Sequence, residues 1–157
     1  MSNVNKAERA QEVYETLCAA IDSRNWHYKK IEDLRLVQFT VQGEDLPMQF
    51  LMAVDEERML VRVMSRMPFT IKEEKRIEGA IMTCAATNKL ANGCFDYDIT
   101  KGTITFRITA SYRETMIGEG LFSYLMDCTA ATVDRYNDQF FAINEGMMSL
   151  QDFLNKL

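Results

Sequence analysis

The stretch from Pro68 to Ala110 decides the fold: it begins Pro68-Phe69-Thr70-Ile71-Lys72-Glu73, continues in a helical pattern to Ala91-Asn92-Gly93, and ends in two alternating strands. Thr70 and Glu73 have the T-x-x-E spacing of a capping box, which satisfies free N–H groups at a helix start. Gly93 after Asn92 is a common helix stop. The pattern predicts a helix over about 70–91, whose apolar face carries Ile77, Ile81, Cys84, Asn88 and Ala91.

The residues after this helix predict a β-hairpin, because apolar and polar side chains alternate on both sides of Lys101-Gly102. Pairing Thr100 with Thr103 would place apolar residues opposite one another and would set Asp96 opposite Arg107. Asp96 and Asp98 lie on one side of the strand and could hold a metal or act as acid and base. A solvated face with an Asp96–Arg107 ion pair is the simpler interpretation, and it assigns these residues no chemistry.

The flanking segments supply further helices and strands. A first helix is predicted over about 5–22, with Asn5 and Glu8 as a capping pair and one apolar face. That face carries Ala10, Val13, Tyr14, Leu17 and Ile21. A short extended piece follows near Trp26, and then strands near 34–42, 48–54 and 59–66.

After the hairpin, a helix is predicted over about 115–136, broken by Asn137-Asp138, and a short last helix begins at Ser149. Two apolar stripes run along the longer helix. A surface that wide is either deeply buried or in contact with another subunit.

This order predicts an α+β fold: a mainly antiparallel five-stranded sheet with packed helices, in the order α-β-β-β-α-β-β-α. The length of 157 residues predicts one domain over 1–157. The chain is 47% hydrophobic and 26% charged, so it can bury a core and stay in solution.

Composition also bounds the function. The net charge is -5 without a basic cluster, which argues against nucleic acid and anionic membranes as partners. No apolar run reaches the roughly 18 residues that span a bilayer, and the first residues lack a signal-peptide core. Cys18, Cys84, Cys94 and Cys128 are widely spaced, as expected of small buried hydrophobes in a reducing compartment. We therefore expect a cytoplasmic protein.

Residue patterns of known chemistry are missing from the sequence. His27 is the only histidine, so a structural zinc site would need the cysteines to converge on it. There is no nucleophile elbow, no Walker motif and no G-x-G-x-x-G. Gly118-Glu119-Gly120 falls in a predicted helix and indicates close packing. We predict no catalytic residue, no metal and no cofactor.

One ordered series of segments comprises Leu46-Pro47, Val54-Asp55-Glu56-Glu57, Met67-Pro68, Lys75-Arg76, Asn88, Gly93-Cys94-Phe95-Asp96-Tyr97-Asp98, Gly102-Thr103-Ile104-Thr105-Phe106-Arg107 and Val133-Asp134-Arg135-Tyr136. In their order and spacing, these segments resemble the YbjN family of candidate bacterial sensory transduction regulators. The resemblance covers roughly residues 7–145 and leaves the last helix outside. It implies a fold like that of type III secretion chaperones and a bacterial, non-enzymatic protein with protein partners.

The leading hypothesis is therefore a protein-binding regulator or chaperone-like module, and the alternative is a small-molecule-binding domain. A homodimer is expected from the stripes on the 115–136 helix and from the dimeric habit of similar chaperones. For the partner site, the third strand places Arg62, Met64 and Arg66 on one face, a mixture of cationic and adaptable apolar groups. The competing interpretation is that a helix covers Met64 while the arginines pair with local acids.

Overall fold

The computed structural model describes residues 3–157, which form four α-helices and six strands. The helices are α1 (Asn3–Asp22), α2 (Arg76–Thr87), α3 (Glu119–Asn144) and α4 (Leu150–Lys156). The strands are β1 (Lys29–Ile31), β2 (Leu36–Gln42), β3 (Pro47–Asp55), β4 (Leu60–Thr70), β5 (Cys94–Asp98) and β6 (Thr103–Ser111). None of the helices in this part of the chain has the length and apolar character needed to cross a membrane.

All six strands form one antiparallel sheet in the order β1-β2-β3-β4-β6-β5. This confirms the predicted α+β architecture. The sheet has six strands rather than five, because the short extended piece after Trp26 pairs as β1 with the start of β2. β3 is internal, as its apolar residues on both faces indicate.

The alternation of side chains gives the sheet two different faces. The inner face is buried against the helices, and it carries Val37, Phe39, Met48, Phe50, Met52, Val54, Val61, Val63, Met67, Ile104, Phe106 and Ile108. α3 reaches it through Tyr136 and Phe140, whose rings lie 5.5 and 5.1 Å from that of Phe95. Phe153 of α4 is fully buried beside the same two rings. The predicted apolar face of α1 is buried in this core as well.

The predicted start of α2 is wrong. Thr70 is the last residue of β4, a 3-10 turn occupies Glu73–Lys75, and α2 begins only at Arg76, whose cap makes no side-chain hydrogen bond. The N–H of Lys72 donates instead to Oδ1 of Asn144 at the end of α3, at 2.8 Å. An acceptor from a distant helix therefore replaces the local capping box, and the strand extends further than predicted.

The predicted buried face of α2 is also wrong. The helix turns Gly79, Met82, Thr83 and Ala86 towards the core, whereas the Ile77 side of the helix faces outward. Small residues allow close approach, and a Cβ on Gly79 would lie 2.6 Å from Oη of Tyr97. The large apolar residues are left on the surface, where Ile77 is 66% exposed and Ile81 42% exposed.

Cys84 shares this outward face of α2, so the expectation of four buried cysteines fails there. Cys18 is buried, Cys84 is exposed, and Cys94 and Cys128 are half-buried.

The hairpin of β5 and β6 forms, but its register differs by two residues from the prediction. Asp98 pairs with Thr103 and Asp96 with Thr105. The loop is longer than expected because Oδ1 of Asp98 accepts hydrogen bonds from the N–H groups of Thr100 and Lys101. The shift is even, so apolar side chains still face apolar ones.

α2 also covers the outer edge of β5. The N–H of Phe95 donates to Oγ1 of Thr87 at 2.9 Å. Arg76 donates to the carbonyls of Ile99 and Thr100, just beyond the strand, at 2.7 and 2.6 Å. The Phe95 N–H, which an edge strand would leave free, is thus paired within the chain.

α3 runs without interruption to Asn144, so the break predicted at Asn137-Asp138 is wrong. Asn137 is buried within the helix. The second apolar stripe predicted for this helix is buried in this chain's own core, and it consists of Phe122, Met126, Thr129, Val133 and Tyr136. Gly118 is the N-cap of α3, and a Cβ on Gly118 or Gly120 would meet nothing within 4 Å. These glycines therefore do not mark close packing. In α1, Asn5 lies inside the helix and not at its cap, whereas Ser149 does cap α4.

Candidate functional site on the outer face of the sheet

The outer face of the sheet brings together the residues predicted for the partner site, Arg62, Met64 and Arg66. Pairing of β2, β3, β4 and β6 places Thr40, Gln49, Arg66 and Thr105 side by side in one row across the strands. The neighbouring row contains Lys29, Gln38, Leu51, Met64, Arg107 and Cys94. Every side chain in these two rows is half-buried or exposed, since the helices pack on the inner face.

Arg62 is on this face but is engaged within the chain. Its guanidinium forms a short ion pair with Asp55, which also accepts hydrogen bonds from Arg58. Burial raises the pKa of Asp55, but the hydrogen bonds from Arg58 and the interaction with Arg62 outweigh it and leave the pKa below its ordinary value. For Arg62, the structure therefore has the local acid partner that the competing interpretation expects.

Met64 and Arg66 differ from Arg62. They line an open hollow of about 570 Å³ together with Gln38, Thr40, Gln49, Leu51 and Thr105. Met64 is half-buried and Arg66 is exposed. Within residues 3–157, the guanidinium of Arg66 has no ion pair and no side-chain hydrogen bond. The hollow thus combines an apolar floor, several neutral hydrogen-bonding groups and one uncompensated positive charge.

Arg107 and Asp96 form an ion pair, although their residues are not directly opposite. Nε of Arg107 lies 2.6 Å from Oδ2 of Asp96, and a second nitrogen lies 3.0 Å from Oδ1. The hydrogen bonds from Arg107 hold the pKa of Asp96 below its ordinary value. The pair is diagonal because Asp96 faces Thr105, so the predicted register is wrong while the predicted ion pair is present.

The nearby thiol of Cys94 touches both charged groups, at 3.4 Å from Arg107 and 3.5 Å from Asp96. Burial and the charge of Asp96 raise the pKa of Cys94. A raised pKa keeps the sulfur as a thiol at neutral pH, and the thiol is a poor nucleophile.

The described residues contain no cluster of three or more His, Cys, Asp or Glu side chains that could hold a metal ion. His27 is exposed at the start of the segment that leads into β1. Among the residues that the structure describes, Arg66 is the only titratable group that lines the hollow around Met64, and its side chain is permanently charged. The arrangement can bind and orient a partner, and it offers no group suited to proton transfer.

Sequence reasoning did not single out six members of the two rows: Lys29, Gln38, Thr40, Gln49, Leu51 and Thr105. Gln49 and Thr105 flank Arg66 on the adjacent strands. The alternation within each strand places them on the outward side, which was available from the sequence. Their neighbours across the sheet depend on the pairing of β4 with β6, which joins segments far apart in the chain.

Comparisons with known proteins find similarity in structure only. No family profile matches the chain, and no curated protein matches it. A chain in the structure of the HopA1–SchA chaperone–effector complex superimposes with a TM-score of 0.58 and 11% identity, over 79% of this chain and 91% of that one. YbjN from E. coli, described as a candidate transcription regulator, superimposes with a TM-score of 0.57 and 8% identity, over 80% and 92%.

Sequence identities of 8–11% show similarity in fold alone. The resemblance expected from the sequence is confirmed at that level. The chain has the fold found in YbjN and in the HopA1–SchA chaperone–effector complex.

Proposed function

We propose that this protein is a protein-binding, non-enzymatic module of the bacterial cytoplasm, a regulator or chaperone-like protein that acts through the outer face of its sheet. The observation that carries the proposal is the hollow around Met64 and Arg66, in which apolar surface lies beside a cation without a partner. Methionine adapts to different partner surfaces, and arginine is enriched at interfaces. The similarity in fold to a chain of a chaperone–effector complex agrees with this role.

The alternative, a small-molecule-binding domain, fits the shape of the site less well. A volume of about 570 Å³ is large enough for a small ligand. However, the hollow lies open on a sheet face, and no buried titratable group converges on it. Ligand pockets usually enclose most of the ligand surface. An open, half-apolar face is better suited to another protein.

Site-specific photo-crosslinking in living bacterial cells would test the proposal. A photoreactive amino acid at Leu51 or Thr105 places the probe on the outer face, and the same probe at Gln151 of α4 is the matched control on a different surface. We expect protein adducts from the two outer-face positions, and their loss when Arg66→Glu is added. Equal adducts from Gln151, or adducts unaffected by Arg66→Glu, would contradict the proposed site.

Arg62 lies on the proposed face, but we expect it to affect partner binding indirectly, through its ion pair with Asp55. Replacement of Arg62 leaves the half-buried carboxylate of Asp55 with Arg58 as its remaining partner. The change therefore affects the local structure at the end of β3 as well as binding. Arg66 and Met64 are the residues whose replacement isolates binding.

We further propose that two copies of the chain form a homodimer through α2. Of the two stripes on α3 that motivated a dimer, the second is buried in the chain's own core, whereas the first leaves Tyr124 exposed and Leu121, Cys128 and Thr132 half-buried. The exposed stripe on α2 is different, since Ile77, Ala80, Ile81, Cys84, Ala85 and Asn88 line an apolar hollow of about 510 Å³. A stable pairing there should bury more than about 1,000 Å² in total.

Sedimentation would decide between the two helices. The monomer mass is 18.1 kDa, and we expect twice that value for the wild type. Ile81→Asp should restore the monomer, whereas Tyr124→Ser, on the exposed side of α3, should leave the dimer intact. A wild-type protein that remains monomeric at all concentrations would exclude the dimer.

A further inference from the structure

The charges on the outer face differ in whether they are neutralised within the chain. Asp55 and Asp96 are paired with Arg62 and Arg107. Arg66 alone among the arginines of this face lacks a carboxylate partner in the part of the chain that the structure describes. The face therefore presents an unpaired cation, although the whole chain carries a net charge of -5.

Lys29 adds a second cation at the border of the same face. It stands in the row of Met64, beside Gln38, and is exposed. It likewise has no ion pair within residues 3–157. The remaining acid on the strands of this face, Asp98, binds the backbone of its own turn and lies 3.6 Å from Lys101. A ligand approaching the outer face thus meets uncompensated positive charge.

Arg66 also lies at the boundary between two hollows. On one side is the hollow that contains Met64 and Leu51, and on the other is a second hollow of about 440 Å³ lined by Pro68 and Phe69. Arg66 and its cross-strand partner Gln49 line both hollows. Along β4, the apolar surface at Met64 is therefore followed by the cation of Arg66 and then by the apolar surface at Pro68.

This order has the spacing of an extended chain. Met64, Arg66 and Pro68 occupy alternate positions of β4, and side chains at alternate positions of a strand point the same way about 6–7 Å from each other. The pairing of β4 with β6 shifts register between Arg66 and Thr70, but burial still alternates from Arg66 through the buried Met67 to the exposed Pro68. An extended segment lying along β4 would present its own alternate side chains at the same interval. A carboxylate opposite Arg66 would then have apolar side chains opposite both hollows.

We propose that the outer face binds an extended segment of a partner protein with the pattern apolar–x–acidic–x–apolar. The acidic side chain pairs with Arg66, with Gln49 and Thr105 as neighbouring hydrogen-bond donors or acceptors, and the apolar side chains fill the two hollows. This inference rests on the proposed function, and it adds the chemistry of the partner. A guanidinium donates two parallel N–H groups to the two oxygens of a carboxylate. The side-chain amide of glutamine has one oxygen and no charge, so it cannot accept both bonds in this way.

Short synthetic peptides with blocked ends supply the probe. One contains valine, threonine, glutamate, threonine and valine in that order, a second has glutamine in place of glutamate, and a third has alanine in place of both valines. Binding is followed by amide chemical shifts in ¹⁵N NMR spectra. We expect the first peptide to shift the amides of Gln49, Arg66 and Thr105 and to bind about five- to tenfold more tightly than the glutamine peptide. The alanine peptide should also bind more weakly.

Arg66→Gln should remove the preference for glutamate, and Arg113→Gln, which removes an exposed arginine from another surface, should preserve it. Acetate alone should compete only weakly. If the glutamate and glutamine peptides bind this face equally, the inference fails while the proposed function stands. If acetate binds as tightly as the peptide, the face is a small-molecule site and both fail. If no peptide binds, the inference is overturned, and the crosslinking from Leu51 and Thr105 still decides the proposed function.

Discussion

Replacement of Gly79 by alanine tests which face of α2 is buried, and therefore whether the stripe of Ile77 and Ile81 is free to bind. In a solvent-exposed helix this change would stabilise the protein by about 1 kcal/mol, because alanine is the better helix former. Here the new Cβ would lie 2.6 Å from Oη and 2.8 Å from Cζ of Tyr97. These distances are too short for an ordinary contact, so the ring or the helix must move.

Such overpacking costs about 1–3 kcal/mol. The movement would also weaken the hydrogen bond from the Tyr97 hydroxyl to the carbonyl of Arg76, now 3.1 Å long, for about 1 kcal/mol more. Against the gain in helix propensity, the expected result for Gly79→Ala is a net loss of about 1–3 kcal/mol. Gly120→Ala is the matched control, because a Cβ there meets nothing within 4 Å, and it should be neutral or stabilising by up to about 1 kcal/mol.

Urea unfolding, followed both by Trp26 fluorescence and by circular dichroism, provides the measurement. With a slope of about 1–3 kcal/mol per molar urea, the loss corresponds to a midpoint shift of roughly 1 M. In a Tyr97→Val background the clash is absent, so Gly79→Ala should become neutral or stabilising. If Gly79→Ala stabilises the otherwise wild-type protein as Gly120→Ala does, this face of α2 is not packed on the sheet. The exposed stripe, and the dimer proposed from it, would then be wrong.

Three further changes test other contacts. Phe153→Ala should lower the free energy of unfolding by about 3–5 kcal/mol, because the ring is fully buried. The control Asn155→Ala, in the same helix, should lower it by less than about 0.5 kcal/mol. A small loss for Phe153→Ala would show that α4 is not part of the core. Asn144→Ala should cost about 1–3 kcal/mol, since it removes the acceptor for the Lys72 N–H and the donor to the Thr70 carbonyl, and an unchanged midpoint would refute that role. Arg107→Gln should raise the pKa of Asp96 towards its ordinary value in an NMR titration of its carboxyl carbon, because the hydrogen bonds from Arg107 are lost. Because the pKa of Asp96 is depressed in the folded state, the stabilisation from this ion pair is present at neutral pH and is lost as the pH falls through that pKa. The stabilisation should stay under about 1 kcal/mol because the pair is half exposed. An unchanged pKa of Asp96 in the variant would exclude the interaction.

The sequence predicts the sheet well because alternation of side chains is a local property. The buried positions of β3 and the apolar half of β4 follow directly from a period of two. A helix start at Thr70 is a wrong prediction because the N–H of Lys72 finds its acceptor on Asn144, which belongs to another helix. The hairpin register was mispredicted because the Asp98 side chain builds a longer turn than the Lys101-Gly102 pair indicates.

For the candidate site too, the sequence predicts which residues share a face, but it does not predict their partners. Alternation places Arg62, Met64 and Arg66 on one face, and the structure agrees. Alternation does not reveal that Arg62 and Arg66 differ, because the difference depends on which of the two guanidinium groups reaches a carboxylate. Asp55 lies at the end of β3 next to Arg62 and not next to Arg66. Cross-strand neighbours from β6 are likewise set by long-range pairing, which the sequence pattern leaves open.

The hydrogen bonds that α2 makes to β5 and to the turn beyond it have a consequence for self-association. An uncovered border strand is a template for further strands, and chains that share such borders can add to one another without limit. The Phe95 amide is held by Thr87 and the turn carbonyls are held by Arg76, so a further copy cannot pair with these groups while α2 is in place. Detachment of α2 would release them, so destabilising α2 should increase the tendency of the protein to aggregate.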